Sequence, residues 1–155
     1  NEGDSKIYGG TVRCNYLLKL PGSIAMRFYG AYSYIDGTTF GGPLLFTAKH
    51  TVKSGVDIMH KKWSIAPRLR YRSTTKTVVY DGAAGTSYES PFFTVLDLMA
   101  TYHLIQKKDT DLSVFLRVDN VTNLKYYNVN VGSGDGLPLT PQDPIRLLSG
   151  VTYMF

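Results

Sequence analysis

Three arginines stand at alternate positions, Arg68, Arg70 and Arg72. Alternate side chains of an extended chain share a face, so the three guanidiniums line one side of a strand. A cationic row of this kind attracts an anionic solute, or it locks against carboxylates on neighbouring strands. Asp57, Asp97 and Asp119, together with Arg117, are placed for the second arrangement, each on the polar side of its own run. Tyr80, Tyr88, Tyr126 and Tyr127 lie in polar stretches between apolar runs, where loops on a rigid scaffold usually carry recognition; stacking on a ligand and ordinary loop packing are both open to them. Nothing assembles into a catalytic or metal centre. His50, His60 and His103 fall in three separate segments without ligand spacing. There is no nucleophile elbow and no phosphate-cradling glycine loop. Cys14 is the only cysteine, which excludes an internal disulfide and a cysteine-based metal site, and between Val12 and Tyr16 it reads as a small hydrophobe. No enzyme activity and no cofactor are expected.

The elements that must position these groups are strands. Period-two alternation marks about seven of them: Tyr8–Leu18, Ile24–Ile35, Thr51–Met59, Trp63–Ser73, Phe93–Leu104, Leu112–Val118 and Ile145–Phe155. Each has one apolar side and one mostly polar side. In Leu112–Val118 the apolar side is Leu112, Val114, Leu116 and Val118, with Phe115 an exception on the polar side. In the last run Ile145, Leu147, Val151, Tyr153 and Phe155 share a side, broken only by Ser149. Pro67 interrupts the fourth run, and because proline donates no ladder hydrogen bond a local irregularity is expected there.

The connections alternate in length. Those at 21–23, 60–62 and 106–111 are short; those at 36–49, 74–91 and 120–144 are long. An up-and-down sheet with every long loop at one end and strands of roughly ten residues is the pattern of outer-membrane barrels, in which the apolar side meets lipid and the polar side lines the lumen. Tyrosines and other aromatics gather near the strand ends, as interfacial girdles require. The net charge of +5 is spread without a basic tract, so a nucleic-acid partner is not expected. An odd number of strands cannot close a bacterial single-chain barrel, so the sequence is expected to belong to a larger one.

Two stretches also carry a family likeness. Leu112-Ser113-Val114-Phe115-Leu116-Arg117-Val118-Asp119-Asn120-Val121-Thr122-Asn123-Leu124-Lys125-Tyr126-Tyr127-Asn128 resembles the penultimate strand of TonB-dependent outer-membrane receptors. Ser149-Gly150-Val151-Thr152-Tyr153-Met154-Phe155 is similar to their last strand, which closes on an aromatic. Ile7-Tyr8-Gly9-Gly10-Thr11-Val12, Ala31–Asp36 and Ala48-Lys49-His50 fit the same order. Asp143-Pro144-Ile145-Arg146 departs from the family's Pro-Gly-Arg pattern, and Thr11 or Arg13 stands where a Glu is usual.

The resemblance implies that residues 1–155 are the C-terminal portion of an all-β, antiparallel, up-and-down transmembrane barrel, about seven strands of a 22-stranded whole whose lumen holds a plug. It implies a receptor in the outer membrane of a Gram-negative bacterium that imports a scarce solute such as a ferric siderophore, haem, cobalamin or glycan. The implied partners are outer-membrane lipid, the remaining strands and plug of the same receptor, and TonB. The barrel-assembly machinery would read Val151, Tyr153 and Phe155 as its signal. Arg68, Arg70, Arg72 and the four loop tyrosines are the candidate solute contacts. Two other readings are a small self-closing outer-membrane barrel or porin, with an eighth strand within Asp36–Lys49 or Leu137–Pro144, and a soluble ligand-binding β-barrel. Polarity tells membrane and soluble forms apart: a soluble barrel's outward side is polar, whereas here the more consistent side of most strands is apolar and the other carries paired charges.

Overall fold

The computed structural model describes residues 4–39, 42–81, 84–129 and 139–155, and leaves the side chains of 79–81 and 84 undescribed. Seven long strands form one antiparallel sheet in chain order: β1 (Lys6–Leu20), β2 (Ile24–Thr39), β4 (His50–Met59), β5 (Trp63–Arg72), β8 (Phe93–Lys107), β9 (Thr110–Asp119) and β12 (Arg146–Met154). A two-residue strand, β3 (Gly42–Pro43), turns back onto the end of β2. Two hairpins stand apart from the sheet, β6 (Thr75–Asp81) with β7 (Ala84–Ser90), and β10 (Tyr127–Val129) with β11 (Leu139–Pro141). All seven expected strands are therefore present.

The register carries the alternation across the sheet. Leu18, Met26, Ile58, Ile65, Ala100, Leu116 and Ser149 are successive partners on the apolar side. On the other side Arg13, Ala31, Lys53, Arg70 and Val95 form one row, and Ala66, Met99, Arg117 and Leu148 another. None of the described residues covers the apolar side: Val12 is 71% exposed and Val151 68%. The connections fold over the polar side instead, where Phe93 and Val95 are the only buried hydrophobic side chains among the described residues. A soluble barrel would bury the apolar side; here the polar side is the enclosed one. The aromatics sort by height. Trp63, Tyr102 and Tyr153 lie toward the short turns, and Tyr8, Tyr32, Tyr34 and Tyr71 toward the long connections.

Three expectations need correction, and one is met. The turn placed at 106–111 narrows to Lys108-Asp109, because β8 runs on to Lys107 and β9 starts at Thr110. Leu104, 55% exposed, is the unpaired extra residue of a bulge in the outward row. The β8–β9 register shifts between His103 and Ile105, so a bulge at Leu104 hands the outward side to Ile105, the partner of Leu112. The irregularity expected at Pro67 is present, as a gap in pairing and not as a register shift. Ala66 and Pro67 have no Cα partners on β4, yet Gly55↔Arg68 and Ile58↔Ile65 keep one register, and Pro67 pairs normally with Leu98. The missing donor thus points at β4 alone.

The long connections are also more ordered than the loops expected at 36–49, 74–91 and 120–144. Each holds strand pairing, but none adds a strand to the path of the sheet among the described residues. Part of the stretch 137–144 lies outside them. Above the sheet, Lys49 donates to Asp36 Oδ2 at 2.8 Å, and this hydrogen bond holds the ammonium above its ordinary pKa.

Candidate functional site

The enclosed wall is a ladder of ion pairs set by register. Arg27 lies directly across from Asp57, so Asp57 pairs there and not with the arginine row. Asp97 sits across from Arg68 but accepts from Arg70 Nε at 3.1 Å, while its Oδ1 accepts the Asn120 backbone N–H at 2.9 Å. Asp119, 8% exposed, accepts from Arg117 Nε at 2.7 Å and from Arg146 at 2.8 Å. Arg146 thereby ties the last strand to its neighbour. His103 and Asp111 are 2.8 Å apart nearer the short turns. Among the described residues no group of three metal-ligating side chains forms.

At the outer end Arg72 turns from the sheet to the connections. Its guanidinium donates to Ser90 Oγ (2.8 Å), Asn128 Oδ1 (2.7 Å) and the Tyr127 carbonyl (2.8 Å). It also stands 4.7 Å from the centre of the Phe93 ring, on which Tyr126 packs at 4.5 Å. One side chain therefore holds the β6–β7 connection and the β10 segment at the mouth of the wall. Arg72→Ala should free residues 120–129. Limited proteolysis of the folded receptor is expected to cut there at least about tenfold faster than in wild type, since charge-assisted hydrogen bonds contribute about 1.5–3 kcal/mol each. Unchanged cleavage would contradict this anchoring.

A second anchor lies at Asn120, which adopts a positive φ of 52°. Its side chain accepts the Leu124 N–H and donates to the Leu124 and Asp143 carbonyls. Asn123 Oδ1 accepts the Ile145 N–H at 3.1 Å. These two asparagines fix where the last long connection leaves β9 and where it returns.

Between the ladder and the mouth is an open cleft of about 660 Å³. Arg68, Arg70 and Tyr126 line it, as do Tyr29 and Lys53, which the sequence reading passed over. Register was the missing signal, because it alone places Lys53 in the row of Arg70. Arg72 and Tyr127 are at the mouth; Tyr127 contributes its carbonyl there, its side chain being 40% exposed. Tyr88 is half-buried in β7 and is not part of the cleft. The Tyr80 side chain falls outside the described residues. Val151, Tyr153 and Phe155 lie on the exposed outer side, with Tyr153 stacked on Phe155 at 5.7 Å. The cleft sets the cations Lys53, Arg68, Arg70, Arg117 and Arg146 beside the carboxylates Asp97, Asp119 and Asp143.

A sequence model of the family described as "TonB dependent receptor-like, beta-barrel" matches residues 1–121. The chain belongs to this family. No curated protein matches it by sequence. Among solved structures, the ferripyoverdine receptor of the outer membrane of Pseudomonas aeruginosa, bound to ferripyoverdine, is similar with a TM-score of 0.74 and 18% identity. The FpvAI–pyocin S2 complex gives 0.77 and 19%. Each match covers 97% of this chain and 19% of the receptor, so the chain spans about a fifth of those TonB-dependent receptors. At such identity the likeness is one of fold: an open stretch of barrel wall with its long connections at one end.

Proposed function

We propose that the chain is the C-terminal portion of the barrel of a TonB-dependent importer in the outer membrane of a Gram-negative bacterium. The receptor takes up a scarce small-molecule or metal-chelate solute, with ferric siderophores the first class to test and haem, cobalamin and glycans the next. TonB supplies the energy, a plug fills the lumen, and the barrel-assembly machinery inserts the receptor by reading Val151, Tyr153 and Phe155. The observation that carries this reading is the sheet's inverted polarity within a family of receptors and transporters: a bare apolar side, and a charged side over which the connections fold. Arg70 and Arg72 serve as anchors, Arg70 by its pairing with Asp97 and Arg72 by its grip on the connections, which leaves Arg68 as the solute contact among the three.

The test is uptake of iron-55 presented on a panel of siderophores, by cells carrying the complete receptor as their sole siderophore receptor. Accumulation of at least one chelate that disappears in a TonB-deficient strain is expected. Uptake that persists without TonB would instead indicate a passive pore.

A further inference from the structure

The ion-pair ladder consumes every described carboxylate on the inner side of the long strands. Asp57 is taken by Arg27, Asp97 by Arg70, Asp111 by His103, and Asp119 by Arg117 and Arg146. Arg72 is taken up by neutral groups of the connections, and Arg13, Lys19, Lys53 and Arg68 remain on that side with no carboxylate partner among the described residues. Two of these cations, Lys53 and Arg68, converge on one place.

That place is Gly55. Its strand partners are Tyr29 on β2 and Arg68 on β5, and Lys53 stands two residues along β4 on the same side. Lys53 is the diagonal neighbour of both, roughly 7–8 Å from each, while Tyr29 and Arg68 flank β4 at about two strand spacings, roughly 9–10 Å. Gly55, with no side chain of its own, leaves room at the centre of the group for the Tyr29 phenol. The Tyr29 ring leans across it, so that a Cβ there would collide with the phenol and lie 2.9 Å from the Pro67 carbonyl oxygen. Tyr29, Lys53 and Arg68 all line the open cleft. None of the three has a side-chain acceptor among the described residues, whereas the neighbouring Arg27 and Arg70 are both paired. The phenol hydroxyl over Gly55, with an ammonium and a guanidinium beside it, forms a donor set that the carboxylates of the same cleft, Asp97, Asp119 and Asp143, leave unpaired because they are taken by Arg70, Arg117 and Arg146. The set matches a carboxylate or similar oxyanion, which accepts several hydrogen bonds at once.

We infer that Tyr29, Lys53 and Arg68 form an oxyanion cradle around Gly55 that holds an anionic group of the imported solute on its way through the lumen. The cradle rests on the import reading only for the source of the anion; its affinity for an oxyanion is separate. The asymmetry of the cleft carries the inference: Arg70, Arg117 and Arg146 on its lining are neutralised, and Lys53 and Arg68 beside them are not.

Citrate is a suitable probe, tested on the complete receptor in detergent at low ionic strength by thermal melting and calorimetric titration. Wild-type receptor is expected to bind citrate. The K53Q/R68Q double variant should bind it at least about tenfold more weakly, the scale of losing one charge-assisted hydrogen bond. K53R/R68K should keep most of the affinity, and Arg13→Gln, which removes an unpaired cation outside the cradle, should leave it unchanged. Heat-modifiable mobility verifies that each variant is folded. Equal citrate affinity in wild type and K53Q/R68Q would overturn the cradle. So would a wild type that ignores citrate while K53Q/R68Q melts at lower temperature, since another part of the receptor would then occupy the donors. If the citrate pattern appears without TonB-dependent uptake, the cradle stands and the import reading falls; uptake without the pattern does the reverse.

Discussion

Leu98→Arg is expected to remove about 3 kcal/mol of folding stability in the bilayer, within the range of roughly 2–4 kcal/mol for a cation at mid-membrane on the lipid face of a barrel. Leu98 pairs with Pro67 on one side and Val118 on the other. Pro67 lies midway along β5 between Trp63 and Tyr71, the two aromatics that mark the height of the interfaces. Leu98 therefore sits at the depth where an arginine is farthest from water. Thr101→Arg, on the opposite side of the same strand, is the matched control and should cost no more than about 1 kcal/mol, because it faces the aqueous lumen. Urea titration of the complete receptor in phospholipid vesicles measures both. Equal costs would mean that the apolar side is not the lipid side.

Gly150→Val is expected to be at least as damaging, at about 3 kcal/mol, with little folded receptor reaching the membrane. A Cβ at Gly150 would lie 2.6 Å from Phe115 Cε1 and 2.7 Å from Cζ, well inside contact distance. Overpacking of this kind usually costs about 1–3 kcal/mol, and both valine methyls add to it. The two residues are partners on the enclosed side, so the ring shields backbone that a glycine leaves bare. A double-mutant cycle checks the account: Phe115→Leu should recover a good part of the loss in Gly150→Val, with a coupling of about 1 kcal/mol or more. Strict additivity would show that the glycine is required for some other reason. The same contact explains the one hydrophobe that breaks the polar row of its strand.

The strands were legible because each long run obeys a period of two over enough residues to fix both its existence and its faces. The ion pairs were only half legible. Asp119 and Arg117 stand two residues apart and share a face in any register, but the choice of Arg27 for Asp57 depends on how β2 and β4 align. Lys53 escaped notice for the same reason. The bulge at Leu104 reflects one more residue on β8 than β9 needs, a mismatch between two strands that neither shows alone. Hairpins such as β10–β11, with three residues on each arm, are too short for periodicity to register. The anchor at Arg72 is a contact across 56 positions to Asn128, beyond any local pattern.

The way the long connections are fastened bears on how such a receptor can change. Arg72, Asn120 and Asn123 grip backbone groups at Tyr127, Leu124, Asp143 and Ile145, and the Phe46 N–H bonds to the Lys76 carbonyl between two connections. A main-chain amide or carbonyl is the same whatever side chain it bears. Substitutions between these fixed points can accumulate without loosening the frame, so the connections can change in sequence while the wall beneath keeps its alignment.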